Sequence, residues 1–370
     1  MNPFKYGRVV SKDDFCSRSG LARMLHRHTL SGQNVVILGE RRTGKTSLIW
    51  NTCHRHKKHK LLYVDLLEVK TIEDIVRRMV NALSTFEKRM GAFQKILRAL
   101  IHLKPKITLD PMTGEPSLSI DAITHAKPDS IEKMLDFFSV LSKKTKLIVV
   151  FDEFQDILNL NESAYVLACL RGKIQFHSKI PYIFSGSVRH RMDEIFFHHD
   201  SPFFKAAIPL TVGPIEDHVF KNFLKNKFSL GNRNIDDAVL TKIFEMAEHN
   251  PGDVQQLCSA IWEVSNQGQH LSEEILPQAM QVVFSHESKT YESLLIPVTG
   301  IQMKCLVGLA SHPVLPPLSS EFARLTGISG PASVKKSLLR LEQIKIIYRT
   351  PKGYKFANPY FKHWLLYKRY

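Results

Sequence analysis

Residues 39–46 read Gly-Glu-Arg-Arg-Thr-Gly-Lys-Thr, and this stretch decides the fold of the 370-residue chain. The apolar run at 34–38 leads directly into it, and residues 46–54 continue in a helical pattern. A buried strand, a glycine-containing loop and a helix together make a phosphate-binding loop, in which backbone amides and the positive end of the helix face the phosphates. The stretch therefore predicts nucleoside triphosphate binding on an α/β sheet.

Each residue type in the loop has a part in this chemistry. Gly39 and Gly44 let the backbone bend so that successive amides face the phosphates. We expect Lys45 to reach the β- and γ-phosphates and the Thr46 hydroxyl to ligate magnesium, so that ATP or ADP and Mg²⁺ are the cofactors. The predicted nucleotide-binding residues of the loop are Gly39, Glu40, Arg41, Arg42, Thr43, Gly44, Lys45, Thr46 and Ser47.

A second stretch, Leu-Ile-Val-Val-Phe-Asp-Glu at residues 147–153, is an apolar strand that ends in two adjacent carboxylates. The carboxyl ends of the strands are where an open α/β sheet binds its ligands. Asp152 is predicted to hold magnesium through water, and Glu153 to orient and deprotonate the attacking water. The alternative is that both carboxylates only cap the next helix. The glycine loop upstream favours hydrolysis.

Polar and cationic residues follow the next predicted strand, in Ser-Gly-Ser-Val-Arg-His-Arg at residues 185–191. A polar side chain at this strand end is suited to sense the γ-phosphate. Arg189 or Arg191 could neutralise transition-state charge, in its own subunit or in a neighbouring one. Surface arginines at helix starts are common, so the choice between them stays open. The predicted catalytic set is Glu153, Lys45 and Arg189.

The order of patterns along the chain predicts three domains. Strands alternate with helices over residues 34–212, which predicts a parallel, three-layer α/β domain. Alternating residues around a turn at about 104–121 predict an inserted β-hairpin, either a contact element for a partner or a decorated loop. Only helical patterns occur from 216 to about 286, which suggests a helical lid. Residues 301–356 read helix, helix, turn, helix and hairpin, the plan of a winged helix-turn-helix. The predicted domains are 1–213, 214–288 and 289–370.

Positive charge is concentrated at the end of the chain. The net charge is +16, and residues 286–370 hold 13 Lys and Arg against 4 Asp and Glu, a net charge of +9. A basic terminal domain attracts polyanions, with double-stranded DNA the preferred partner; the alternative is a solvated surface that maintains solubility. On the predicted third helix and wing, the candidate phosphate contacts are Lys335, Lys336, Arg340, Arg349, Lys352 and Lys355. Ser333, Ser337 and Gln343 are the uncharged polar residues on that helix, and they predict weak sequence preference.

These motifs resemble the archaeal-type ATPase family within the AAA+/STAND group of P-loop proteins, relatives of the archaeal origin-recognition initiators. The resemblance covers nearly the whole chain. Besides the stretches above, it rests on Asn-Pro-Phe-Lys-Tyr-Gly at 2–7, Phe-Cys-Ser-Arg at 15–18, Phe-Asp-Glu-Phe-Gln at 151–155 and Asn-Pro-Gly-Asp at 250–253. It implies an AAA+-like sheet with strand order 5-1-4-3-2, followed by a helical lid and a winged helix.

The resemblance also implies further nucleotide contacts. In such proteins the N-terminal segment packs around adenine, which makes Phe4, Tyr6 and Val10 candidates, and the lid helix that starts near Pro251 closes over the nucleotide. Two departures bear on the rate. Lys205 stands where relatives often carry arginine, and no arginine immediately precedes the lid helix. We therefore expect slow hydrolysis unless another subunit or a partner completes the site.

The remaining properties limit the class of protein. No apolar run is long enough to span a bilayer and no secretory leader is apparent, so no membrane partner is expected. Five scattered cysteines without metal-site spacing suggest a reducing, cytoplasmic compartment. We expect an ATP-dependent switch that couples nucleotide state to DNA binding, with self-assembly. The alternative is a signalling or defence-type ATPase that regulates protein assembly without nucleic acid; a small-molecule kinase is a more distant third.

Overall fold

The computed structural model describes residues 1–54, 59–88, 106–109, 116–119, 128–187, 189–350 and 353–368. For residues 86–88, 106–109, 116–119, 128 and 189 it describes the backbone alone. The chain forms two compact units, one of Val9–Gly213 and one of Met1–Arg8 with Pro214–Tyr370. The division into three domains stays a prediction.

The Val9–Gly213 unit alternates strands and helices, as expected. Its strands are β1 (Val35–Leu38), β2 (His59–Asp65), β3 (Lys106–Leu109), β4 (Pro116–Ser119), β5 (Lys146–Asp152), β6 (Tyr182–Gly186) and β7 (Ile208–Thr211). Its helices are α1 (Ser19–Leu30), α2 (Lys45–His54), α3 (Ile72–Lys88), α4 (Pro128–Ser142), α5 (Ser163–Ile174) and α6 (Arg189–Phe196). Short 3₁₀ helices cover Lys12–Asp14 and Phe154–Asn159.

Five of these strands form one parallel sheet in the order β2-β5-β6-β1-β7. The central strand β1 pairs with both neighbours, so that Val35 lies opposite Ile183 on one side and Ile208 on the other. If these five strands are numbered 1 to 5 along the chain (β1, β2, β5, β6 and β7), the order is 2-3-4-1-5. Read from the opposite edge of the sheet, this is the predicted order 5-1-4-3-2. The predicted α/β fold is therefore confirmed.

Apolar clusters cover both faces of the sheet. On one face, β1 and β5 pack against Leu25 of α1 and against Leu48 and Ile49 of α2. On the other face, buried residues of α3, α4, α5 and α6 form a larger cluster. The buried strands are near-continuous apolar runs because both of their faces are covered. The unit thus has the three layers that the alternating pattern predicted.

The predicted hairpin is present in the backbone. Strands β3 and β4 pair antiparallel, with Ile107 opposite Leu118. The predicted turn between them, at residues 110–115, lies outside the described residues.

Helices dominate the second unit. They are α7 (Asp217–Ser229), α8 (Asp237–Met246), α9 (Pro251–Val264), α10 (Leu276–Leu295), α11 (Gly300–Ser311), α12 (Ser320–Thr326), α13 (Pro331–Gln343) and α14 (Pro359–Lys368). Its strands are the short parallel pair β8 (Asn234–Ile235) and β9 (His270–Leu271) and the antiparallel pair β10 (Ile347–Thr350) and β11 (Gly353–Phe356). Helix α10 continues through the predicted boundary at residues 288 and 289. Over the described ranges, no helix has the length and apolar composition needed to cross a bilayer.

Helices α11 to α13 and the β10–β11 hairpin make the predicted winged helix. Ser319 accepts a hydrogen bond from the Phe322 amide and so caps α12, which ends at Gly327 in the left-handed region, with φ +63°. A side chain at Gly308 would lie 2.2 Å from Thr326, so only glycine lets α11 and α12 pack this closely. Helix α14 was not predicted; it buries Trp364 against the domain.

Candidate active site

The glycine loop connects β1 to α2 and has the backbone that phosphate binding needs. Gly44 has φ +86°, and Arg42 is also left-handed, with φ 63°. A Cβ atom at Gly39 would lie 2.7 Å from the carbonyl oxygen of Val212, so this position requires glycine. The loop is therefore a tight turn whose amides precede the helix start, where the helix dipole favours negative charge.

Lys45 is the buried cation of the loop, with only 6% of the residue exposed. Its Nζ donates hydrogen bonds to the carbonyl oxygens of Gly39 at 2.9 Å and Glu40 at 2.8 Å. Burial lowers the pKa of Lys45, while the nearby carboxylates of Glu153 and Asp152 oppose the shift. A desolvated ammonium group held by neutral oxygens interacts strongly with an anion, because little water has to be displaced. Phosphate oxygens fit this requirement.

Asp152 ends β5 and faces the loop. Its Oδ2 accepts hydrogen bonds from Thr46 Oγ1, at 2.9 Å, and from the Tyr63 hydroxyl, while its Oδ1 accepts from the Glu153 amide at 3.0 Å. Burial, together with the Asp152 charge, raises the pKa of Tyr63, so the phenol remains a donor. Thr46 and Asp152 bring a hydroxyl and a carboxylate together. Hard oxygen ligands of this kind fit Mg²⁺.

Glu153 is the next residue and has an unusual backbone, left-handed with φ 50° and ψ 41°. A non-glycine residue in this region often marks a functional site. Its Oε2 accepts hydrogen bonds from Gln155 Nε2 at 2.6 Å and from Ser187 Oγ at 2.8 Å. Ser187 thus lies at the strand end where a polar sensor was expected. The carboxylate is held between β5 and β6, and Oε1 makes no hydrogen bond with the described residues.

An aromatic cluster beneath the site fixes these strand ends. The ring of Phe154, which follows Glu153, lies 4.7 Å from Phe184 on β6, 5.7 Å from Phe196 on α6 and 5.4 Å from Phe203, measured between centroids. All four rings are buried. They anchor the 3₁₀ helix after β5, and with it Glu153, against the neighbouring strand.

Arg18, which the sequence analysis named only as part of a motif, donates hydrogen bonds to the backbone beside the loop. Its Nη2 donates hydrogen bonds to the carbonyl oxygens of Thr43 at 2.7 Å and Gly213 at 3.0 Å. Burial lowers the pKa of the guanidinium to about 10, so it remains charged at neutral pH. The cation adds positive charge beside the turn at Gly44: Arg18 Nη1 lies 3.5 Å from the position that a Cβ atom on Gly44 would occupy.

The four residues predicted to lie near the base and the lid fall in different units. In the Val9–Gly213 unit, the Val10 amide donates a hydrogen bond to Ser47 Oγ at 3.2 Å, which ties the N-terminal segment to α2. In the other unit Phe4 is only 4% exposed and packs on Phe228, with ring centroids 4.6 Å apart. Tyr6 is partly exposed and Pro251 is buried at the start of α9. Adenine contacts at these positions stay a prediction.

Arg189 and Arg191, the two candidates for neutralising transition-state charge, both lie on α6. Arg189 begins α6, and its side chain lies outside the described residues. Arg191 Nη1 lies 3.8 Å from Asp156 Oδ1 in a partly buried ion pair. A catalytic role for Arg189 stays a prediction, and Arg191 already has an acidic partner.

The basic residues of the winged helix do not all share one environment. Lys335, Lys336, Arg340 and Arg349 are exposed, whereas Lys352 lies outside the described residues. Lys355 is paired: its Nζ lies 3.2 Å from Glu248 Oε2, and Lys362 approaches the same carboxylate at 3.8 Å. Among the uncharged polar residues of α13, Ser337 is only 5% exposed and faces the domain core.

Sequence reasoning missed three contacts at the nucleotide site: Tyr63 with Asp152, Gln155 with Glu153, and Arg18 with the loop backbone. Tyr63 and Asp152 stand 89 residues apart, so no local pattern connects them. The cysteines add no reactive group, since all five are buried as free thiols. Burial raises the pKa of Cys16 to about 11 and of Cys53 to about 12.

Comparisons with protein families match both parts of this architecture. Residues 21–170 match the KAP family P-loop domain, and residues 289–367 match a probable winged helix domain. None of the curated proteins compared with the chain matches it.

Solved structures of similar fold extend over almost the whole chain. The Walker-type ATPase of Pyrococcus abyssi is 18% identical with a TM-score of 0.66, and the match covers 98% of this chain and 99% of that one. The Aeropyrum pernix ORC1 protein, solved in complex with DNA, is 13% identical with a TM-score of 0.54 over 96% of this chain and 94% of that one. The Aeropyrum pernix ORC2 protein, solved in ADPNP–ADP complexes, is 14% identical with a TM-score of 0.54 over 99% of both chains. At these identities the likeness is one of fold.

Proposed function

We propose that this chain, a P-loop ATPase by fold with a C-terminal winged helix domain, is an ATP-binding switch of the AAA+/STAND type that hydrolyses ATP slowly. Nucleotide state would control binding of double-stranded DNA through the basic winged helix. The family and fold matches support the nucleotide-binding architecture, and the ORC1 structure with DNA motivates the choice of partner.

One observation carries the hydrolytic part of the proposal. The loop and the strand end meet, with the Thr46 hydroxyl bonded to the Asp152 carboxylate at 2.9 Å and the Lys45 ammonium buried in the same turn. The two motifs therefore form one site, although they stand about a hundred residues apart. Glu153 stands next to Asp152, where a base would face the end of a triphosphate chain.

The residues divide the chemistry among them. Lys45 binds the β- and γ-phosphate oxygens, and the amides at the start of α2 add further hydrogen bonds. Bound Mg²⁺, held by Thr46 and by Asp152 through water, would supply positive charge against the same oxygens. Glu153 accepts a proton from water as the water oxygen attacks the γ-phosphorus, and the bond from phosphorus to the leaving ADP oxygen breaks.

Slow turnover is expected from the cations near Glu153. The carboxylate itself is held in place by two hydrogen bonds to Oε2, from Gln155 and Ser187. Arg191, one candidate for neutralising transition-state charge, is already paired with Asp156. A neighbouring subunit or a bound partner would complete the site by supplying a cation, as often occurs in AAA+ assemblies.

The alternative, an ATPase that regulates protein assembly without nucleic acid, has one observation in its favour. Helix α12 exposes Leu325 at 48%, and helix α13, which also carries the exposed Lys335 and Lys336, exposes Leu339 at 50%. Exposed leucines on helices that also carry cations suit a protein partner as well as DNA. The test below separates these two functions.

The proposal is tested by phosphate release from ATP, measured with and without duplex DNA over a range of protein concentrations. We expect Glu153→Gln to lower the rate by about 100-fold or more, because it removes the base, while ATP binding measured by calorimetry persists. Glu162→Gln removes an exposed acid at the start of α5 and serves as the matched control. Lys45→Ala should remove ATP binding itself.

The outcomes distinguish the functions. A rate that rises with DNA supports the DNA-coupled switch, whereas a rate that rises with protein concentration alone supports assembly without nucleic acid. An unchanged rate in Glu153→Gln would rule out the assigned base. If neither the wild-type protein nor any variant binds ATP, the nucleotide switch itself is wrong.

A further inference from the structure

Tyr63 occupies an inner position of β2, two residues before the strand ends. In the parallel pairing with β5 its Cα lies opposite Val150, two residues before Asp152 in the neighbouring strand. The ring belongs to the sheet face that packs against α2, where Trp50 meets it edge-on with centroids 6.4 Å apart. The phenol therefore points along the sheet toward the loop.

The hydroxyl of Tyr63 binds one of the two residues assigned to magnesium and shares its oxygen with the other. It donates to Asp152 Oδ2, the same oxygen that accepts from Thr46 Oγ1 at 2.9 Å. The amide of Glu153 holds the other oxygen of Asp152 at 3.0 Å. Both oxygens of the carboxylate are therefore held, Oδ2 by two donors and Oδ1 by one.

We propose that Tyr63 is a positioning residue, which fixes the Asp152 carboxylate and the Thr46 hydroxyl so that the site takes nucleotide as its magnesium complex. This inference rests on the proposed function. Hydrogen bonds from outside the metal's own ligands orient those ligands, and losing one typically costs 10- to 100-fold in metal affinity. Phenylalanine would fill the same space against Trp50 without burying a polar group, so packing alone does not account for the hydroxyl.

The proposal is tested by calorimetric titration of ADP, once with Mg²⁺ and once with EDTA. ADP is used because no turnover is needed for the readout. We expect Tyr63→Phe to weaken binding of Mg-ADP by about 10-fold and to leave the affinity measured in EDTA unchanged. The matched control is Tyr182→Phe, which removes the hydroxyl of another sheet tyrosine, bonded to His177 Nδ1 at 2.7 Å. It should match the wild-type protein in both conditions.

Two results would overturn the positioning role. In one, Tyr63→Phe keeps the full effect of magnesium on ADP affinity. In the other, it loses affinity equally with Mg²⁺ and with EDTA, which would indicate a general disturbance of the sheet. If the wild-type protein binds ADP in neither condition, the proposed function fails first, and this inference fails with it for a different reason.

Discussion

The nucleotide site and the basic face of the winged helix present charge in opposite ways. At the end of the sheet, Lys45 and Asp152 are 6% and 5% exposed, and each already has hydrogen-bond partners. On α13, Lys335 and Lys336 stand in water. Buried, oriented groups act on one ligand geometry and are little screened by salt, whereas exposed cations act on any polyanion and are screened strongly. The first region suits a specific chemical step, and the second suits a partner bound largely through phosphates.

Reversing charge on α13 should therefore affect one region and not the other. We expect Lys335→Glu combined with Lys336→Glu to weaken duplex DNA binding at low salt by about 100-fold or more, because two phosphate contacts become repulsive. ATP binding should stay at the wild-type level. Fluorescence anisotropy with labelled duplex measures the first quantity and calorimetry the second.

The control for this experiment carries the same change of charge elsewhere. Lys242→Glu with Lys289→Glu alters two exposed lysines, on α8 and α10, outside the proposed DNA-binding helix. If this control loses as much DNA affinity as the α13 variant, binding follows net charge, and the winged helix face has no special part.

The wing provides a second test of the comparison, because its cation Lys355 is partly neutralised by Glu248. Glu248 is 18% exposed at its side chain and lies 3.2 Å from Lys355 and 3.8 Å from Lys362. We expect Glu248→Gln to raise DNA affinity several-fold and to steepen the logarithmic salt dependence by about one unit, as one more cation becomes available. Glu245→Gln, which removes the exposed partner of Lys242 on the same helix, is the control. Identical salt slopes for both variants would show that Lys355 does not reach DNA.

Patterns within short stretches predicted most of the fold. The chemistry of two motifs can be predicted from short stretches of sequence, residues 39–46 and the strand that ends at Asp152. A phosphate loop, for example, needs its glycines and lysine at fixed spacing. The strand order came from family resemblance, and the sheet confirms it. The winged helix was readable because its turn residues, such as Gly327, separate short helical patterns.

The contacts that adjust the sites were not predictable in this way. Tyr63 reaches Asp152 across two adjacent strands, and Glu248 reaches Lys355 from about a hundred residues away in the chain. Neither pair leaves a periodic signal, because each is created by tertiary packing. Ser337 shows the same limit, because its burial follows from the packing of α13 and not from its residue type.

Low pH should destabilise the winged helix domain by a small amount, through protonation of His363 on α14. Burial, together with Lys362, lowers its pKa below 6.5, although a hydrogen bond to the Met246 backbone and the charge of Glu248 oppose the shift. Its Nε2 is buried without a partner among the described residues. The unfolded chain therefore binds this proton more tightly, so stability is lost as pH falls through about 6.5.

The experiment is differential scanning fluorimetry at pH 7.5 and at pH 5.5. The fall in melting temperature between the two pH values should be a few degrees smaller in His363→Gln than in wild type, while the exposed control His286→Gln behaves like wild type. An equal loss in all three proteins would assign the acid sensitivity to other groups, such as His177 in the P-loop unit, whose pKa burial also lowers.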